Sequence, residues 1–160
     1  MKAQIILLLT LFLCVSCNNK KENHLEEKEN VHTEDKITKS YPLEGAWELV
    51  SFYNYVDDKV KDSSFTDPNQ RQIKLYTKEK FMWSKKRPAD STEWFAYGNY
   101  KVENNMLIEH VEYGSLTMDN IMKQRSSFDY ELIIFEKSFS QVELDENGSR
   151  IYSENYKRLE

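Results

Sequence analysis

Apolar and polar positions divide the chain into three unlike parts. Ile5 to Leu13 is a short apolar run. Asn18 to Ser40 is polar and has no aromatic residue. From Tyr41 onward, apolar and polar residues alternate in short segments. A period of two predicts strands, because successive strand residues face opposite ways. The first runs from about Ala46 to Val56, after a bend that Gly45 permits. It puts Trp47, Leu49, Ser51, Tyr53 and Tyr55 on one side. Gln72–Tyr76 is predicted as the second, with Ile73 and Leu75 inside, and Phe81–Trp83 as the third, with Phe81 and Trp83 on one face. Glu93–Val102 is the fourth; Lys101 marks the solvent side, which leaves Trp94, Ala96, Gly98, Tyr100 and Val102 inward. In the fifth, Met106–Tyr113, two parities compete: Leu107, Glu109, Val111 and Tyr113 against Met106, Ile108, His110 and Glu112. Phe128, Tyr130 and Leu132 mark the sixth, Phe139–Leu144 the seventh and Arg150–Leu159 the eighth.

The connections agree with an antiparallel order. Asn104-Asn105 and Asp145-Glu146-Asn147-Gly148 carry hairpin chemistry, since Asn and Gly tolerate positive φ. Leu116–Lys123 is a candidate short helix. Lys85–Ser91 is a polar loop. Asp57–Asn69 is longer than a hairpin needs, and long connections often carry function; here it could fold over a barrel mouth. Eight strands with short polar turns predict an all-β, eight-stranded antiparallel up-and-down barrel, because closure removes exposed edges. An open sandwich is the competing arrangement. An eight-stranded barrel holds either one small ligand or packed side chains.

Composition adds a core and removes some partners. A length of 160 residues predicts one folded domain. Ten Tyr, eight Phe and three Trp, almost all after Ser40, supply enough apolar surface for one core. The net charge is -5, and no basic patch suits phosphates, so nucleic acid is excluded as a partner. Both cysteines lie at or before position 17, so the domain has no disulfide.

Those cysteines close the apolar start. Lys2 is followed by a run too short to span a bilayer comfortably, then by Cys14-Val15-Ser16-Cys17. This arrangement resembles the lipobox of bacterial lipoproteins, with Cys14 where that family usually has Leu. The resemblance implies a signal peptide over residues 1–16, lipidation of Cys17 with acyl chains such as palmitate, and a membrane anchor in the bacterial envelope, at the outer membrane. Residues 17–40 are then a lipidated, disordered tether, since sparse Leu25, Val31 and Ile37 cannot offset the entropy of ordering. His24 and His32 in it lack companion ligands at metal-site spacing.

The domain, residues 41–160, carries a second resemblance. Gly45-Ala46-Trp47 looks like the G-x-W signature of lipocalins. Arg158 ends the last strand, where lipocalins place an Arg across that Trp. Gln72-Ile73-Lys74-Leu75-Tyr76 with Lys80-Phe81-Met82-Trp83 is similar to a group of bacterial lipocalin-like lipoproteins. So is Gly98-Asn99-Tyr100 with Ile108 to Tyr113. The resemblance implies a barrel closed by Gly45, Trp47 and Arg158 around a small, often apolar molecule.

Candidate chemistry is sparse. Tyr53, Tyr55, Trp83, Tyr100, Tyr113, Tyr130 and Tyr152 are candidates to line a cavity, since a Tyr ring with a polar tip suits a ligand site; the alternative is that they fill the barrel. Glu109, His110 and Glu112 are the domain's carboxylate–imidazole cluster, with Glu109 on the opposite face from the other two. They read as a solvated strand face, or as a polar group inside the barrel. No nucleophile elbow, phosphate loop or converging acid–base pair occurs, and nothing calls for a metal or cofactor. The expected function is non-enzymatic binding of a small, mainly apolar ligand. The alternative is an accessory lipoprotein whose filled barrel docks to another envelope protein.

Overall fold

A computed structural model of the chain describes residues 41–87 and 92–160. The segments expected as signal peptide (1–16) and tether (17–40), with Cys17, and most of the Lys85–Ser91 loop lie outside the described residues. The strands are β1 (Gly45–Val56), β2 (Lys59–Phe65), β3 (Gln72–Tyr76), β4 (Lys80–Lys85), β5 (Trp94–Glu103), β6 (Met106–Gly114), β7 (Ser127–Ile134), β8 (Ser138–Leu144) and β9 (Arg150–Arg158). A helix α1 (Leu116–Met122) joins β6 to β7. Every strand pairs antiparallel with its neighbours, and β1 also pairs with β9, so β1 and β3 to β9 close an eight-membered ring. The expected all-β antiparallel barrel with one short helix is the observed architecture.

The ninth strand, β2, stands where a polar connection was expected. β1 is long enough for Gly45–Glu48 to pair with β3 while Ser51–Val56 pairs with β2. Asp57 and Asp58 both take positive φ, which closes the β1–β2 hairpin. All seven β2 residues are exposed, so no apolar face advertises the strand in the sequence. The rest of the connection holds the single 3-10 turn Pro68–Gln70.

One half of the barrel is packed solid. Trp47 is fully buried, and its Nε1 donates to Leu43 O at 2.7 Å. Its ring meets Phe139 edge-on at 4.8 Å, and Phe139 stacks on Tyr156 at 4.6 Å. Tyr76, Phe81, Leu107 and Leu132 complete this half. Arg158 is the register partner of Trp47, with its guanidinium carbon 4.0 Å from the indole centroid. Its Nε and Nη atoms donate to the carbonyls of Glu136, Glu44 and Pro42. Gly45 lies beneath it at φ +127°, where an added Cβ would sit 2.7 Å from Arg158 Nη1. Glycine is required there by both backbone and space.

Two bulges reset which residues face inward. Leu49 pairs with Tyr156 and Ser51 with Asn155, so Val50 is the extra residue of β1. Beyond it Phe52, opposite Glu154, turns inward and stacks on Tyr152, while Tyr53 and Tyr55 turn outward. In β6, Gly98 pairs with Val111 and Tyr97 with Tyr113, so Glu112 is extra. Leu107, Glu109 and Val111 are therefore buried, and Tyr113 is exposed beside Tyr97.

Candidate ligand cavity

The unpacked half of the barrel holds a cavity of about 260 Å³. Trp83 on β4, Trp94 on β5 and Tyr130 on β7 give it aromatic walls. Met118 and Ile121 of α1 cover it from one side. Ser115 caps that helix, its hydroxyl accepting from Met118 N. Gly114 lets the helix approach, since a Cβ there would lie 2.7 Å from Met118 Cβ.

The floor of the cavity is polar and charged. Trp47 and Lys74 are direct partners across β1 and β3, and paired residues share a face. An inward Trp47 therefore carries Lys74 inward. Gln72 and Tyr76 follow it, while Leu75 is exposed. The expectation that Ile73 and Leu75 point inside is thus corrected by one residue of parity. Lys74 Nζ bonds both carboxylate oxygens of Glu109, at 3.0 and 3.1 Å, and Gln141 Oε1 at 2.6 Å. The Tyr76 hydroxyl donates to Glu109 as well. Gln141 Nε2 donates to Glu154 Oε2 at 2.9 Å, and Tyr156 donates to the same oxygen. Gln72 Nε2 reaches Tyr156 Oη at 2.9 Å. Six side chains from four strands so form one continuous network with Tyr76. No fully buried polar side-chain atom among the described residues lacks a partner.

This network sets the electrostatics. Burial, and then the Glu109 charge, holds the Tyr76 hydroxyl well above its ordinary pKa. Burial followed by the Glu154 carboxylate does the same for Tyr156. Tyr152 is raised first by burial, then by Glu154 and Glu143. The tyrosine hydroxyls here are neutral donors across the physiological range.

Of the seven aromatics expected to line a cavity, the structure brings Trp83, Tyr130 and Tyr152 to it. Tyr53 and Tyr55 are turned out by the β1 bulge, and Tyr55 Oη lies 3.2 Å from Ser153 Oγ instead. Tyr113 is turned out by the β6 bulge. Tyr100 packs edge-on against Tyr76 in the solid half and donates to Thr77 O. No residue of the Asp57–Asn69 connection lines the cavity; α1 covers it. Glu109 is inside, whereas His110 and Glu112 are exposed, and Glu112 pairs with Lys80. Lys74, Gln72, Gln141 and Glu154 escaped the sequence reading as a floor. Their signal is the register itself: an inward Trp47 on β1 fixes the parity of β3. Among the described residues, no three His, Cys, Asp or Glu side chains gather as metal ligands.

No family model matches the sequence, and no curated protein matches it. Two solved structures match the fold. One is a lipocalin-like protein from Bacteroides uniformis, 12% identical, with a TM-score of 0.53, covering 73% of this chain and 98% of its own. The other is an uncharacterized protein from Bacteroides eggerthii, 12% identical, with a TM-score of 0.50, covering 73% of this chain and 99% of its own. At this identity the likeness concerns the fold, which is lipocalin-like.

Proposed function

We propose that this chain is a non-enzymatic binding protein of the bacterial envelope, lipidated at Cys17 and tethered to the outer membrane, whose barrel holds one small ligand. The observation that carries the binding reading is the cavity of about 260 Å³ above a hydrogen-bonded floor. At ~30 Å³ per water, it has room for about nine waters, near the small end of ligand sites. Its aromatic walls suit an apolar body, and its floor suits a polar end. That amends the expectation of a mainly apolar ligand. The Lys74 ammonium and the Glu109 carboxylate are engaged with each other, which favours a binder over a catalyst. An accessory protein with a filled barrel is the weaker reading, because one half of this barrel is not filled.

Native mass spectrometry of protein gently extracted from its own membrane tests the binding reading. A bound small molecule that Trp83→Ala removes is the expected result. An empty barrel that co-purifies with one protein would refute it in favour of the accessory role. Anchoring is tested separately by fatty-acid labelling, which Cys17→Ala should abolish. Equal labelling of both proteins would refute lipidation there.

A further inference from the structure

The floor network uses up its cation. Lys74 has three protons, and Glu109, Gln141 and the more distant Tyr76 hydroxyl receive them. An incoming carboxylate or phosphate would find no free donor on Lys74. The acids are not used up. Glu154 accepts at Oε2 from Gln141 and Tyr156, and no cation among the described residues lies within ion-pair distance of it. Its Oε1 takes no hydrogen bond from the described residues; as every sealed polar atom has a partner, that oxygen is open to the cavity. Glu143 lines the same cavity and also has no ion pair among the described residues. Glu143 is the register partner of Tyr152 across β8 and β9, Glu154 stands two residues further along β9, and all three line the cavity, so both carboxylates flank one ring. Once Lys74 and Glu109 cancel, the lining holds, among the described residues, two glutamates against one cation, Lys85.

Glu143 and Glu154 are half-buried; a partly desolvated carboxylate without a cation carries part of the cost of a buried charge, and a ligand that supplies a cation recovers it. The walls fit the same ligand, because an indole or phenol face attracts an ammonium group and an apolar body alike. We propose that the cavity takes a small organic cation, a primary or substituted amine on an apolar body. Its ammonium sits between Glu143 and Glu154, and its body lies against Trp83, Trp94 and Tyr130. This inference rests on the binding reading and names the ligand class for that cavity.

Calorimetry on the full chain with three probes of one shape provides the test. Phenethylamine, phenethyl alcohol and hydrocinnamate differ only in carrying a positive, neutral or negative end. The amine should bind at least about tenfold tighter than the alcohol, as one charge-assisted contact implies. Glu154→Gln should remove that advantage, so that the variant binds amine and alcohol with equal affinity. Glu143→Gln, which disturbs no hydrogen bond of the floor, should weaken the amine in the same direction. Equal binding of amine and alcohol would overturn the cation while leaving the cavity reading intact. Tightest binding of hydrocinnamate would overturn it in favour of Lys85 as the determinant. Binding of none of the three would overturn it too. The cavity reading then stands or falls on the bound mass found by native mass spectrometry.

Discussion

Lys74 and Glu109 offer the sharpest test of this interior. Their side chains are 3% and 4% exposed, and they meet at 3.0 Å. Bringing two charges into a barrel costs several kcal/mol each in desolvation, which mutual attraction and further hydrogen bonds repay. Removing one partner leaves the other charge buried without compensation. Lys74→Met leaves the Glu109 carboxylate with the Tyr76 hydroxyl as its donor. Glu109→Leu leaves the ammonium with Gln141 and Tyr76. Each single change should cost about 3–5 kcal/mol, a large part of a typical 5–15 kcal/mol stability. With a urea slope of about 1.5–2 kcal/mol per M, the midpoint should fall by roughly 1.5–3 M. The double variant removes both charges and fills the space with apolar groups. It should unfold within about 2 kcal/mol of the parent, so the two single effects exceed the double by several kcal/mol. Tryptophan fluorescence in urea reads all four proteins. If a single variant does not fold at all, recovery of folding in the double carries the same information. Single costs below about 1 kcal/mol, or a double equal to the sum of the singles, would refute a charged buried pair.

Two other outcomes follow from the closed half and the outer face. Trp47→Ala should cost about 3–5 kcal/mol, because the indole is fully buried against Phe139 and holds Leu43 O; an unchanged denaturation midpoint would refute its placement. On the outside, hydrogen bonds from Lys157 and then Arg71 hold the Glu48 carboxyl below the ordinary carboxylate range. A lowered folded-state pKa stabilises above the unfolded value, about 4.3, and is lost as pH falls through the folded one. The stability lead over Glu48→Gln should therefore shrink below about pH 4. A lead that stays constant down to about pH 2 would contradict the pairing.

The sequence showed most strands because their cores are apolar and their turns carry Asn, Asp or Gly. It missed β2, whose residues are all exposed and therefore show no inward face. Facing was harder than existence. Gln72-Ile73-Lys74-Leu75-Tyr76 reads equally well with its aliphatic pair inside, and hydropathy favours that choice. Pairing with Trp47 decides the other way, and Glu109 makes the choice bearable. Single-residue bulges at Val50 and Glu112 carry no mark in the sequence, yet each moves tyrosines from one side of the sheet to the other. That is why Tyr53, Tyr55 and Tyr113 were misplaced; Trp83 and Tyr130 stand on strands without a shift, and Tyr152 faces the cavity although Ile151, just before it, is an extra residue of β9.

The division of the barrel bears on what it is for. A barrel serving only as a docking block has no need of charge inside, because apolar side chains of similar volume would hold it at least as well. Here Lys74, Glu109 and Gln141 are buried between a solid aromatic half and an open one. The hydrogen bonds run in one direction from the buried pair toward the cavity: Lys74 to Gln141, and Gln141 to Glu154. Gln141 is oriented by this chain, since its Oε1 must face the ammonium and its Nε2 is then aimed at the carboxylate. With Tyr156 on the same oxygen, Glu154 has one oxygen fixed and the other directed at the open space. The buried pair thus acts as the support of an oriented carboxylate, and an oriented carboxylate at the edge of a cavity is a feature of recognition rather than of packing.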